Sequence, residues 1–227
     1  MELIYQGKTK DVYKLEDGNI QLMFKDDVTG EDGVFDPGAN TVGLTIDGVG
    51  KSGLKMTTYF FEKLRERNIP THYIKTNFDD VAMIVKDAEM FGNGLEVICR
   101  YRAVGSFYRR YAALCEEGQA LDRFVEITIK DDERGDPPIS KEALTMLHVV
   151  TEDEYDQIVT LTKEISQIVK ETLADKGLEL FDIKLEFGRN KETKEIMLID
   201  EISGGNMRVY DKNGTYIEPL QLETYLF

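Results

Sequence analysis

Two carboxylates stand out by their setting: Glu186 in "FDIKLEFG" and Asp200 in "IMLIDEIS" lie in segments that otherwise read as core strands. Carboxylates are rarely buried without a partner. In the first segment Phe181, Ile183, Leu185 and Phe187 alternate with Asp182, Lys184 and Glu186, and a half-exposed strand accounts for that pattern. In the second, four apolar residues run directly into Asp200 and Glu201, so the strand reads as buried just before its carboxylates. The two segments flank the turn-like "GRNKETK" and predict a hairpin that brings Glu186 and Asp200 to one side. Two convergent carboxylates with room for water suit Mg²⁺, which is usually held by one or two carboxylates plus substrate phosphates.

Candidate anion-binding residues accompany them. "QGKTK" places Gly7, Lys8 and Lys10 in a turn between strands, where Gly admits close backbone approach and the lysines add charge. It is not a Walker A loop, and a solvated surface hairpin explains the same residues. In "CRYRAVGSFYRRY", Arg100 ends an apolar strand and Gly105-Ser106 opens a helix. That suits either an anion at a helix N-terminus or a plain N-cap. Lys130 ends a strand before "DDERGDPP", whose Asp131, Asp132 and Asp136 orient a ligand or simply make turns. His72 and His148 have no evident partner and read as structural. No Ser-His-Asp or Cys-His set is present.

Bulk properties bound the function. The chain has 227 residues and a net charge of −15, which argues against a nucleic-acid partner but not against a small anionic ligand. No apolar run approaches the roughly 18 residues of a membrane span. The N-terminus enters strand-like alternation without a signal-peptide pattern, and the two cysteines, Cys99 and Cys115, lack disulfide or metal spacing. The expectation is a soluble, cytoplasmic protein.

The elements that must position these residues can be read in outline. A strand, a turn and a strand are predicted in 3–15, further strands in "IQLMF", "VAMIV" and "LEVICRYRAV", and helices in 53–68 and 106–118. Residues 26–50, rich in Gly and Asp, read as one long loop. "TEDEYDQIVTLTKEISQIVKETLADKG" is the clearest helix, with Thr151 and Glu154 in a capping-box pattern, an apolar face from Tyr155 to Leu173, and Gly177 closing it. The mixed order of strands and helices predicts an α+β fold, with a join near Glu89–Gly94 dividing residues 1–89 from 90–227.

Taken in order, "YQGKTKDVY", "KLRERNIPTHYI", "LEVICRYRAVGSFYRRY", "IKDDERGDP", "LFDIKLEFGR" and "LIDEIS" with Arg208 resemble the SAICAR synthetase family of purine biosynthesis. The resemblance implies a two-lobed α+β fold related to ATP-grasp and kinase-like nucleotide sites. It implies an ATP-dependent ligase that activates the carboxylate of an aminoimidazole ribonucleotide and joins it to L-aspartate. By position, Gly7, Lys8 and Lys10 would hold the ATP phosphates, and Val12 and Met90 would line the adenine pocket. Lys130 would act near the phosphates. Glu186 and Asp200 would carry Mg²⁺, with Lys184 beside them. Arg100, Ser106 and Arg208 would hold the substrate's 5′-phosphate and neighbouring groups. Asp32 falls where the family has a substrate-contacting Asp.

Departures gather in the residues expected to contact the acceptor. Ser203-Gly204-Gly205 stands where the family usually has Ser-Pro-Asp, and Arg100-Tyr101 where it has Arg-Asn. "KSGLKM", with Lys55-Met56, lacks the usual Asn pair, and the loop at 34–50 is longer than usual. The family's C-terminal helix is expected to be missing after Phe227, which would leave an apolar patch for a homodimer to cover. A paralogous ligase with another amine or carboxylate, and a nucleotide-binding protein without ligase activity, are the alternative readings.

Overall fold

The computed structural model describes residues 1–31, 34–35 and 42–227. Strands β1 (Glu2–Gln6), β2 (Lys10–Lys14) and β3 (Ile20–Phe24) form an antiparallel meander. The 26–50 segment is not one loop. It forms β4 (Asp27–Glu31), β5 (Val34–Phe35) and β6 (Val42–Thr45), a sheet of three strands. Two glycines make this pairing possible, because a Cβ on Gly43 would lie 2.5 Å from the Gly30 carbonyl carbon. The glycines that disfavour strands in general are here what lets two backbones approach.

Helix α1 (Val49–Glu66) follows, its start bonded through the Gly50 N–H to Asp26 Oδ1 at 2.9 Å. The chain leaves it through Asn68, which takes a left-handed φ of 58° ahead of Pro70. Strands β7 (Tyr73–Asn77) and β8 (Ala82–Val85) complete the first sheet in the order β1-β2-β3-β8-β7. Leu54, Met56, Phe60, Phe61 and Leu64 of α1 are buried in the core it shares with that sheet.

The second sheet begins with β9 (Ala88–Met90) and β10 (Leu95–Arg102). Helix α2 (Gly105–Tyr111) is shorter than the predicted 106–118, because the chain turns back so that the Gly118 N–H bonds the Ala103 carbonyl at 2.9 Å. Then come β11 (Ala120–Ile129), α3 (Lys141–Met146), α4 (Glu152–Ala174), β12 (Leu178–Asn190), β13 (Ile196–Ile199), β14 (Met207–Asp211) and α5 (Pro219–Leu226). The long β12 is the spine. It pairs β10 and β9 along one edge and β14 and β13 along the other. The predicted β12–β13 hairpin is present, and so is the Thr151–Glu154 capping box on α4, a feature worth about 1 kcal/mol.

Alternation in β10 and β12 sorts the sheet into two faces. Val97, Cys99, Tyr101, Ile183, Leu185 and Phe187 are buried in the core to which α4 contributes Ile158, Ile165, Val169 and Leu173. The other face carries charge. Among the described residues no helix is long and apolar enough to cross a membrane.

Candidate active site

Register places the charged residues of three strands in rows. Glu96 of β10 lies opposite Glu186 of β12 and Thr128 of β11, and Arg100 lies opposite Asp182. The half-exposed strand that would explain β12 is therefore not what the chain forms. Asp182 and Glu186 are only 3% and 8% exposed, and each is paired.

One cluster is built on carboxylates. Lys130 Nζ bonds Glu186 Oε1 at 2.8 Å, and Lys184 Nζ bonds Glu96 Oε1 at 2.7 Å, while Thr128 donates to Glu96 Oε2 at 3.0 Å. Lys10, at the start of β2, brings the first sheet to the second: its Nζ lies 2.8 Å from Glu201 Oε1 and 3.0 Å from Asp200 Oδ1. Side chains of consecutive strand residues point to opposite faces. Asp200 and Glu201 escape that rule because Asp200, just past β13, has a left-handed φ of 65°, so both carboxylates turn onto one ammonium.

The electrostatics follow from this crowding. Burial and the Asp200 charge push the Glu186 carboxyl above its ordinary range, although Lys130 and Lys184 oppose them. Burial would raise Asp200 too, but Lys10, Lys130 and Lys184 outweigh it and hold that carboxyl low. Burial would lower Lys10 and Lys130, yet Asp200 with Glu201 for the first, and Glu186 with Asp200 for the second, hold both ammoniums above their usual value. Among the described residues, three ammoniums thus face four carboxylates, and the surplus is one negative charge. A carboxyl destabilised by its neighbour and a net negative site are what a divalent cation relieves, so Glu186 and Asp200 fit Mg²⁺.

The Gly-Lys turn joins β1 to β2 above this cluster. The Gly7 N–H bonds the Lys10 carbonyl at 2.8 Å, and a Cβ on Gly7 would lie 2.6 Å from that oxygen, so the turn closes only with glycine. Lys8 forms a surface ion pair with Asp132 beyond β11, both side chains remaining partly exposed. Val12 on β2 is half-buried, and Met90 on β9, opposite Gly188, is largely exposed. Asp32 lies outside the described residues.

The second cluster is built on arginines. Arg100 is buried, with Nε 2.7 Å from Glu126 Oε1, Nη1 2.7 Å from Asp182 Oδ2 and Nη2 3.0 Å from Ser106 Oγ. Arg208 on β14 shares Asp182 Oδ2 at 2.8 Å, and Arg110 on α2 pairs with Glu126. Among the described residues, these three guanidiniums gather around the carboxylates of Glu126 and Asp182. Gly105, with φ +57°, lets the Arg208 guanidinium lie against the backbone: a Cβ there would be 2.8 Å from Cζ. The structure therefore brings Arg100, Ser106 and Arg208 together, as it does Lys10, Lys130, Lys184, Glu186 and Asp200.

The partners that hold these residues escaped the sequence reading. Glu96, Glu126, Asp182 and Glu201 received no role, although Glu96 and Arg100, four apart in one strand, gave a usable signal of a charged face. His72 does have a partner, since its Nε2 lies 3.3 Å from the Asp200 carbonyl oxygen. Some of the departures lie away from the charged rows, whereas Gly205 stays beside Glu201, where a Cβ would be 3.9 Å from Oε1. Tyr101 belongs to the opposite face from Arg100 and donates to Ser166 Oγ of α4 at 3.3 Å, away from the charged rows. Met56 is core. Lys55 bonds Glu223 of α5 at 2.8 Å, and Gly204 lies against Pro219, where a Cβ would be 2.6 Å from the proline Cα. The segment after Ile217 thus forms helix α5, which packs on α1.

The SAICAR synthetase family model matches residues 3–221. The chain belongs to the SAICAR synthetase family. It is 65% identical over 223 residues to the phosphoribosylaminoimidazole-succinocarboxamide synthase of Clostridium tetani, covering 98% of each chain. The Finegoldia magna enzyme of the same name is 37% identical, over 94% of this chain and 87% of the relative. Among solved structures, the Ehrlichia chaffeensis synthase superposes with a TM-score of 0.85 at 27% identity, covering 99% of this chain and 92% of that one. A SAICAR synthetase in complex with ADP gives 0.84 at 31% identity, covering 97% and 93%. These likenesses establish the mixed α and β SAICAR synthetase fold.

Proposed function

We propose that the chain is an ATP-dependent ligase that joins L-aspartate to carboxyaminoimidazole ribonucleotide, giving SAICAR, ADP and phosphate. The observation that carries this reading is the juxtaposition on one sheet face of a carboxylate–lysine cluster and an arginine cluster, in a chain 65% identical to a synthase of that name. A carboxylate oxygen of the ribonucleotide attacks the γ-phosphorus of ATP and ADP leaves. The amine of L-aspartate then attacks the acyl carbon, phosphate departs with the bonding pair, and the amine gives up a proton. Phosphoryl transfer of this kind depends on positioning and on neutralising charge.

The residues divide accordingly. Gly7, Lys8 and Lys10 cradle the ATP phosphates, and Lys8 gives up Asp132 to do so. Val12 and Met90 flank the adenine. Lys130 and Lys184 stabilise charge on the transferring phosphoryl group and the acyl oxygens. Arg100, Ser106 and Arg208 hold the 5′-phosphate, with Asp182 and Glu126 fixing the guanidiniums in place. Asp32 contacts the ribonucleotide. Mg²⁺, when bound at Glu186 and Asp200, neutralises the phosphate charge. Residues 1–89 and 90–227 act as two lobes around the nucleotide, an arrangement akin to ATP-grasp and kinase-like sites.

Isotope transfer tests the reading. With ¹⁸O in the substrate carboxylate, one labelled oxygen should appear in the phosphate released with each amide. Phosphate free of label, with amide formed, would overturn the activation step.

A further inference from the structure

The left-handed turn at Asp200 needs a cause. Such a φ costs most L-residues about 1–2 kcal/mol, Asp less than most, and here it is held by its surroundings. Its surroundings are a short extended segment, residues 70–72, laid along β13. The Leu198 N–H bonds the Pro70 carbonyl at 2.9 Å, the His72 N–H bonds the Leu198 carbonyl at 2.9 Å, and Thr71 forms a parallel bridge with Leu198. The His72 side chain continues the series one step further, with Nε2 3.3 Å from the Asp200 carbonyl oxygen. A carbonyl only accepts, so Nε2 carries the proton and donates. The ring is buried, edge-on to Phe61 at 5.6 Å between centroids, which fixes its orientation. On the far side of the turn, Asn206 Nδ2 bonds the Glu201 carbonyl at 2.6 Å.

We infer that His72 is a positioning residue: its Nε2–H holds the Asp200 carbonyl, and so the turn that directs the carboxylates of Asp200 and Glu201 onto Lys10. The backbone carbonyl is the handle and the carboxylates are the load. A donor at this spot is what matters, not aromatic bulk. Of the residues that could replace His72, glutamine carries an N–H donor the same number of bonds from Cβ, whereas asparagine falls one bond short and leucine has none.

The test rests on the proposed Mg²⁺ role of Asp200 and is built to separate the two ideas. ADP affinity of the full-length protein is measured with and without Mg²⁺ by calorimetry. His72→Leu and His72→Asn should keep the Mg²⁺-free affinity and lose about 10-fold or more of the Mg²⁺-dependent gain, the scale of an outer-shell ligand change. His72→Gln should retain that gain. Two removal variants, one apolar and one polar, guard against misfolding of either. If both removal variants keep the gain, or if glutamine fares no better than leucine, the inference fails. Loss of the gain in Asp200→Asn but not in His72→Leu removes the His72 role alone. Persistence of the gain in Asp200→Asn removes the metal reading, and kcat on the same variants then decides: a loss in leucine and asparagine restored by glutamine upholds the inference, and equal rates refute it.

Discussion

Replacing Gly105 by alanine strikes the backbone and the arginine cluster at once. Gly105 has φ +57°, and the new Cβ would stand 2.8 Å from Arg208 Cζ and both terminal nitrogens. The backbone alone costs about 1–2 kcal/mol for an L-residue in this conformation. The contact is with the far end of a flexible side chain, so Arg208 yields rather than the helix. Yielding draws it from Asp182 Oδ2, now 2.8 Å away. At about 2–4 °C per kcal/mol for a chain of this size, the backbone term lowers Tm by about 2–8 °C. The chain has no Trp, so circular dichroism follows unfolding. Steady-state kinetics should show KM for the ribonucleotide raised about 10-fold, equivalent to about 1.4 kcal/mol of lost binding, with KM for ATP unchanged. In an Arg208→Lys background the same substitution should add little, because interacting sites are non-additive. A rise in both KM values, or full additivity with Arg208→Lys, would refute the reasoning.

Other expectations follow from the same geometry. Asp200→Asn should abolish turnover while the protein still melts cooperatively, because Lys10 keeps Glu201 at 2.8 Å; wild-type turnover would sink the role of Asp200. Gly204→Ala should destabilise by about 1–3 kcal/mol and free α5 to proteolysis, because the clash is with the Pro219 Cα, which no side-chain rotation relieves. Glu154 is held below its usual value of 4.5, chiefly by its hydrogen bonds from Arg189. The folded state thus binds fewer protons than the unfolded one, so this contribution is present above about pH 4.5 and is lost as pH falls through the folded value. Glu154→Gln should flatten that part of a Tm–pH curve, and an unchanged curve would dismiss the pair.

What was legible in the sequence was what local physics decides. Helix α4 announced itself through its cap and period, and the β12–β13 hairpin through two apolar runs around a polar turn. The chemistry-bearing types were legible too, since Glu186 and Asp200 stand among apolar strand residues, Lys130 ends a strand and Lys10 lies in a glycine turn. Their partners were not. That Glu96 faces Glu186, or that Asp182 lies between Arg100 and Arg208, depends on register between strands tens of residues apart. The three-stranded sheet in 26–50 was hidden because it depends on the close backbone approach of Gly30 and Gly43 at a register shift, which leaves no side-chain pattern. Tyr101 looked like a change on the substrate side, yet one step along a strand reverses the face, and it packs under α4. Lys55 and Gly204, read separately, turn out to share one partner, α5.

The central assignment is tested most directly by ADP release from purified protein supplied with ATP, Mg²⁺ and carboxyaminoimidazole ribonucleotide, with and without L-aspartate. Aspartate-dependent ADP release, matched one for one by SAICAR, is the predicted result. ADP formed without amide, or at the same rate when another amino acid replaces aspartate, would contradict it.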